Sequence, residues 1–473
     1  MLIHFGVILS ELDSNKINKI FKIERSVDMV KDMTVGNPTK LILSFSLPLL
    51  VGNIFQQLYN MVDALIVGRF VGVKSLAAVG STGSLAFLVL GFIIGLTSGF
   101  SVLAAQRFGA KDEDGLRHSV AMSIYLCAAF TIIITLLSVL TSKSLLLLMK
   151  TPADILDDAN TYIIIIYMGC IVAFIYNMLA GILRALGDSR TPLYFLIIAS
   201  ILNVILDIAF VVNFNMGVAG AAYATVISQG VSGLLCFIYI KKKFPILKFQ
   251  KKDWKFNSNT AKHLLKIGLP MSFQFSITAI GVMILQSAIN SFGSTVVAAF
   301  TAASKVEPLA TMPLASLGVT MATYTGQNLG AGKYERIKDG VKKCMIISLI
   351  ASLIGSALVF LFGRYFVNLF LSEPQEEVIN YATKYLNTIA LFFFPLGILF
   401  IFRNTLQGLG DGLIPLLGGV IELVSRSVIA LVFSGIFGYA AVCYASPLSW
   451  ITAAPWLYIC YRIRAKKLID SET

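Results

Sequence analysis

Gln106-Arg107-Phe108-Gly109-Ala110-Lys111 returns, with one residue inserted, as Gln327-Asn328-Leu329-Gly330-Ala331-Gly332-Lys333, 221 positions later at its glutamine. Outward from this pair the correspondence continues. Leu47-Pro48-Leu49 returns as Leu269-Pro270-Met271, 222 positions on, and Leu186-Gly187-Asp188-Ser189-Arg190-Thr191-Pro192 returns as Leu409-Gly410-Asp411-Gly412-Leu413-Ile414-Pro415, 223 positions on. Three matches in one order at nearly constant offset mark an internal duplication. In a membrane protein such a duplication usually means two bundles facing each other across a central site.

Composition agrees with a membrane protein. The 473 residues are 57% hydrophobic and 13% charged, with a mean hydropathy of +0.81, whereas soluble domains carry roughly a quarter charged residues. The apolar runs are continuous and reach the ~20 residues a helix needs to cross a bilayer. Strands of a membrane barrel would alternate polar and apolar instead. The runs predict an all-α integral membrane protein with twelve transmembrane helices, over 40–68, 82–105, 118–141, 157–182, 191–213, 217–240, 263–291, 296–325, 338–362, 378–402, 413–436 and 439–461.

Each copy of the repeat holds six spans, an even number, so both copies keep one orientation. The expected architecture is two six-helix bundles related by a pseudo-two-fold axis along the membrane normal. The expected division is an N-terminal extension over 1–36, disordered or interfacial, then a first lobe over 37–240, a basic linker over 241–262, a second lobe over 263–461 and a tail over 462–473. Residues 16–33 could form an amphipathic surface helix with Ile17, Ile20 and Phe21 on one face; the alternative is a natural start at Met29 or Met33.

The formal net charge of +13 lies in the gaps between spans, a pattern that argues against a nucleic-acid partner. The linker carries Lys241, Lys242, Lys243, Lys248, Lys251, Lys252, Lys255 and Lys262 against Asp253, which makes it cytoplasmic by the positive-inside rule. Counting spans from there puts both termini on the inside of a cell membrane. Arg107, Lys111 and Arg117, Arg184 and Arg190, Lys333, Arg336 and Lys338, and the tail Arg462, Arg464, Lys466 and Lys467 all fall on predicted inner segments. The predicted outer loops are short, such as Asn213-Phe214-Asn215, or acidic, with Glu373, Glu376 and Glu377.

Cys127, Cys170, Cys236, Cys344, Cys443 and Cys460 fall mostly inside spans without a CxxC pair and read as packing residues. The three His are too scattered for a metal site. The duplicated glycines Gly109/Gly330 and Gly187/Gly410 sit where helices end and read as caps and tight turns. An embedded transferase would need an acid cluster on an inner loop, and Asp112-Glu113-Asp114 reads better as a solvated loop. No enzyme and no cofactor are expected.

Ionisable groups inside a span are costly and are functional candidates by default. Asp63 lies six residues before Arg69, and Asp207 six residues before Asn213. Both sit about 9 Å below the predicted outer end of the first lobe. Tyr59, Asn60 and Asp63 share a helix face, as do Asn203 and Asp207. Span 6 adds Thr225, Ser228 and Gln229; span 4 adds Asn177, nearer the inner side. Such carboxylates can carry a proton, or with Asn and Thr oxygens coordinate a small cation, so the coupling ion would be H+ or Na+. The repeat sharpens the point. Asp63 maps to Leu285 and Asp207 to Ala430, so the second lobe keeps the backbone plan and loses both acids. Ion coupling is therefore assigned to the first lobe. In the second lobe Glu422 and Arg426, four apart, are expected to form a structural ion pair. Lys305 and Glu307, two apart, need partners elsewhere and are candidates for the substrate cavity with Tyr59, Asn60 and Gln229.

At these residues the sequence resembles the multidrug and toxic compound extrusion (MATE) transporters, within the superfamily that also contains lipid-linked saccharide flippases. The resemblance rests on Val62-Asp63-Ala64-Leu65-Ile66-Val67-Gly68, Leu202-Asn203-Val204-Ile205-Leu206-Asp207, Gly220-Ala221-Ala222-Tyr223-Ala224-Thr225 and Gly268-Leu269-Pro270, besides the duplicated pieces above. It implies an antiporter that exports organic, often cationic and amphipathic compounds in exchange for H+ or Na+. In the branch that looks like DinF, a helix-1 acid and an Asn-x-x-x-Asp in helix 5 carry coupling. These map to Asp63, Asn203 and Asp207, with Thr225 and Asn177 nearby. The NorM-like branch has a helix-7 acid; Phe273-Gln274-Phe275-Ser276-Ile277-Thr278 has none. The competing reading is a flippase for a lipid-linked saccharide, which should line its cleft with cations rather than acids. The expected partners are a small organic substrate and the bilayer, and the expected state is a monomer.

Overall fold

The computed structural model describes residues 31–149, 151–369 and 375–470. Residues 1–30, which hold most of the proposed surface helix and the alternative start Met29, lie outside them, as does Glu373. Among the described residues the chain is helical without strands.

The first lobe contains α1 (Pro38–Ile66), α2 (Val73–Gly109), α3 (Glu113–Leu148), α4 in two pieces (Leu156–Met168 and Cys170–Ala185), α5 (Arg190–Asp207) and α6 (Gly217–Lys243). The second lobe repeats the order with α7 (Ser258–Asn290), α8 (Ser294–Gly330), α9 (Tyr334–Leu369), α10 in two pieces (Glu376–Ala390 and Phe393–Gly408), α11 (Leu413–Val428) and α12 (Tyr439–Asp470). Eight single helices and the two bent pairs are long and apolar enough to cross a membrane. The other two, α8 and α12, carry internal prolines, Pro308 and Pro313 in one and Pro447 and Pro455 in the other, and complete the twelve.

The repeat extends to helix ends and defects. Asn37 caps α1 by accepting from the amides of Thr39 and Lys40, and Asn257 caps α7 from Asn259 and Thr260. Both helices carry the matching internal proline, Pro48 or Pro270. The spans expected over 157–182 and 378–402 are each broken, by 46° in α4 and 52° in α10. Gly169 marks the first break, where a Cβ would stand 2.4 Å from Val226 of α6. Pro395, in the first turn of the second piece of α10, lacks the amide that would bridge the other break.

The two cores are interleaved at the end that carries the basic linker. Ile42 and Phe45 of α1 are buried in the second-lobe core, whereas Leu264 of α7 is buried in the first-lobe core. The linker straps onto α3. Tyr125 Oη donates to the carbonyl of Trp254 (3.1 Å), and Arg117 pairs with Asp253 (3.4 Å) and with Asp114. The hydrogen bond from Lys252, with Arg117 beside it, holds the Asp114 carboxyl below its usual range. Of the N-terminal extension, residues 31–36 are described and docked. Met33 is fully buried, its amide donates to Gln327 Oε1 (2.8 Å), and its carbonyl accepts from Asn328 (3.1 Å) and Arg336 (3.1 Å).

The duplicated loops close this same end. Gly109 lies so near Gln327 that a Cβ would stand 1.9 Å from its carbonyl oxygen, and Gly330 faces Gln106 in the same way at 1.8 Å. Gln106 Nε2 donates across the lobes to Gly408 (2.9 Å), and Gln327 Nε2 to Ala185 (2.8 Å). The expectation of caps and turns holds for Gly187 and Gly410, with φ of +89° and +87°. Gly109 and Gly330 instead allow backbone to touch backbone across the two-fold seam.

Candidate functional site

Asp63 and Asp207 reach one another because α1 packs on α5, and because each acid precedes a wide π-helical turn. Val67–Val71 follows α1 and Ile208–Asn213 follows α5. Such turns interrupt the regular ladder and are frequent at functional sites. Asp207 and Asn203 are fully buried, and Asp63 is 9% exposed. The two carboxyl groups meet side chain to side chain. Yet Asp63 Oδ1, both carboxyl oxygens of Asp207, both amide atoms of Asn203 and Ser228 Oγ have no hydrogen-bond partner among the described residues. Tyr59 Oη donates to Thr225 Oγ1 (3.0 Å), which ties α1 to α6 at the rim of the cluster. Tyr162, on the first piece of α4, lies within electrostatic reach of Asp63, Tyr59 and Asp207.

Four unmet carboxyl and amide oxygens here stand beside two neutral groups able to donate, Asn203 Nδ2 and Ser228 Oγ, and no cationic side chain pairs with the acids among the described residues. Two carboxylates without a compensating cation are expensive in a low-dielectric interior. A proton shared between them, or a small monovalent cation held by carboxylate and amide oxygens, removes that cost. The arrangement can therefore bind and release one positive charge.

Asn60 is exposed on α1 and Gln229 half-buried on α6. Asn177 spends its amide on the carbonyl of Ala173 in its own helix (2.9 Å), without a bond to the Asp63 cluster. Lys305 is exposed; Glu307, two residues on, accepts from Tyr385 Oη (3.1 Å).

The second lobe corrects one expectation. Glu422 pairs with Arg403 of α10, and not with Arg426 four residues along its own helix. Spacing placed Glu422 and Arg426 on one face, but α10 brings a second guanidinium to that face, and Arg426 extends toward α7 and α12. The side-chain amides of Gln274 and Gln407 meet at 2.9 Å, and the Gln274 carbonyl oxygen, turned to Arg403, accepts from its Nε (3.2 Å), completing a polar layer between α7, α10 and α11. Five of the six cysteines are buried and all are unpaired, as packing residues should be.

A family model described as MatE matches residues 48–209 and 270–446, one block in each lobe. The chain belongs to the MatE family. A curated relative, "Probable multidrug resistance protein YpnP" of Bacillus subtilis (strain 168), is 31% identical over 452 residues, covering 93% of this chain and 99% of its own length. Among solved structures, one described as "Outward-facing conformation of a multidrug resistance MATE family transporter of the MOP superfamily" matches with a TM-score of 0.86 and 25% identity, covering 94% of this chain and all of the other. Another, a MOP superfamily transporter from Pyrococcus furiosus described by "Reverse polarity of binding pocket suggests different function", matches with a TM-score of 0.87 and 26% identity, covering 94% and 99%. The protein is a multidrug efflux transporter of the MATE fold, a carrier and not an enzyme.

Sequence reasoning missed two members of this MATE transporter's polar sites. Tyr162 was hidden in an apolar run, although it is the repeat mate of Tyr385, 223 positions on. Arg403 was hidden because its mate in the first lobe is Ala180, so the repeat offered no signal.

Proposed function

We propose that the protein is a secondary antiporter of the cell membrane that exports organic, cationic and amphipathic compounds in exchange for H+ or Na+ by alternating access. The observation that carries the reading is the Asp63, Asn203 and Asp207 cluster, with buried acceptors and no donor to meet them among the described residues. A coupling ion enters where it neutralises the pair. Its binding favours one arrangement of α1 against α5 and α6, and its release favours the other. The Tyr59–Thr225 bond lies on the path of that change. Interleaved lobes closed at the basic end support an arrangement that gives access from the opposite side, and the lysine-rich linker supports a cytoplasmic side for that closed end and for both termini. The working unit is a monomer, since one chain holds both lobes and the site between its own helices.

Acids in the first lobe favour cationic cargo over the pyrophosphate of a lipid-linked saccharide. Export of a fluorescent organic cation from proteoliposomes, under an imposed H+ gradient and then a Na+ gradient, tests this with wild type and Asp63→Asn. Transport driven by one gradient and lost in the variant is the expected result. Folded wild type that moves nothing under either gradient sinks the antiport reading and favours the flippase.

A further inference from the structure

The first-lobe cluster has a two-fold mate in the second lobe, and that mate contains a cation of the protein's own. Adding 223 carries Tyr162 to Tyr385, Asn203 to Arg426 and Asp207 to Ala430; adding 222 carries Tyr59 to Gly281 and Asp63 to Leu285. The frame is reliable here. The second piece of α4, Cys170–Ala185, and that of α10, Phe393–Gly408, correspond residue for residue at 223, and α5 and α11 begin at the matched positions Arg190 and Leu413. α7 packs on α11 as α1 packs on α5, and α11 ends in the same kind of wide turn, Ile429–Phe433.

The exchanged residues fit one another. Where the first lobe has Tyr59, Gly281 leaves room for the guanidinium, and a Cβ there would stand 3.0 Å from Arg426 Nη1. Leu285 and Ala430, both buried, put apolar side chains where the first lobe has its two carboxylates. Arg426 is 8% exposed. It donates to Ser449 Oγ at 3.4 Å, and its Nε has no partner. An acid reappears at a new place: Glu307 of α8, whose first-lobe mate, at the offset of 221 that carries α2 onto α8, is Ala86, bonds to Tyr385, and both lie within electrostatic reach of Arg426. With Arg403 bound to Glu422, the second-lobe layer is neutral without any ion from solution. Among the described residues the first-lobe pair has no such counter-charge.

We infer that Arg426 is a tethered cation standing in the second lobe where the coupling ion binds in the first, so that it confines ion binding to one lobe and conceals a latent monovalent-cation site built on Glu307 and Tyr385. This rests on reading Asp63 and Asp207 as the coupling site, and the test separates the two claims.

The full-length protein in nanodiscs is assayed for bound 22Na+ and for protons taken up on acidification, as wild type, Arg426→Gln, Arg426→Lys and Arg426→Gln/Glu307→Gln, each also in an Asp207→Asn background. Arg426→Gln is expected to gain about one H+ or Na+ per chain, because Glu307 then lacks its counter-charge. Arg426→Lys, which keeps the charge, should not gain it, and Glu307→Gln should abolish the gain. The gain should persist with Asp207→Asn, so a failure of the first-lobe reading leaves it measurable. No added cation in folded Arg426→Gln overturns the inference, as does a gain that survives Glu307→Gln. If Arg426→Gln does not fold, thermal unfolding of Glu307→Gln and of the double variant decides. A double variant more stable than Glu307→Gln supports the pairing; one equally or less stable overturns it.

Discussion

The two lobes share a backbone and differ in how each manages charge inside the membrane. The first lobe concentrates Asp63 and Asp207 around Asn203 and leaves their acceptors without donors among the described residues. The second distributes Arg403, Glu422, Arg426 and Glu307 over α8, α10 and α11 so that its polar layer needs nothing from outside. Under the proposed function, a duplicated fold thereby holds one half that exchanges an ion and one half that is held together by its own pairs. The difference teaches that two-fold symmetry in the scaffold does not carry over to the chemistry.

The comparison breaks most sharply at Asp207. Asp207→Asn keeps the shape and removes one charge, so gradient-driven export in proteoliposomes should fall to the leak rate while expression stays intact. Export at the wild-type rate would remove the first lobe from coupling. Glu422→Gln probes the other half. It unpairs the buried Arg403, a loss of about 3 kcal/mol, and should lower folding yield and the unfolding midpoint more than cargo preference. A well-expressed Glu422→Gln with altered selectivity would give that layer a binding role.

Between the lobes, Gly99 meets α7 so closely that a Cβ would stand 2.4 Å from the Gly268 Cα. Gly99→Val should loosen the closed end by about 1–3 kcal/mol. Val102 packs with Ile267 and Met271 in this seam. A Val102→Cys reporter should therefore react faster with a hydrophilic thiol reagent when Gly99→Val is present, and unchanged labelling would show that the close approach does not govern closure. The smallest effect is expected at Tyr59. Tyr59→Phe removes the bond to Thr225, about 1 kcal/mol, and should slow export a few-fold without changing which ion drives it. A change in driving ion would move Tyr59 into the ion site itself.

Much of this was legible in the chain. Hydropathy and the repeat are linear properties, so the spans, the two lobes and the loss of both acids in the second copy follow from residue order. Pro48 and Pro270 marked matching helices. The bends in α4 and α10 were not foreseen, because their apolar runs pass through Gly169 and Pro395 without a change of polarity. Nor was the docking of residues 31–36, since Met33 finds its partners about 300 positions away at Gln327, Asn328 and Arg336.

The sequence by itself determined the architecture and named Asp63, Asn203 and Asp207, because a charged side chain in a long apolar helix stands out wherever that helix packs. Only the tertiary structure decided that the two acids meet, that Tyr162 comes within electrostatic reach of them, that Glu422 binds Arg403 instead of Arg426, and that α1 and α7 cross into the opposite cores at the basic end. Each of those outcomes depends on how helices are rotated and bent against their neighbours, and many side-chain contacts made together set that rotation, which no spacing along a single helix encodes.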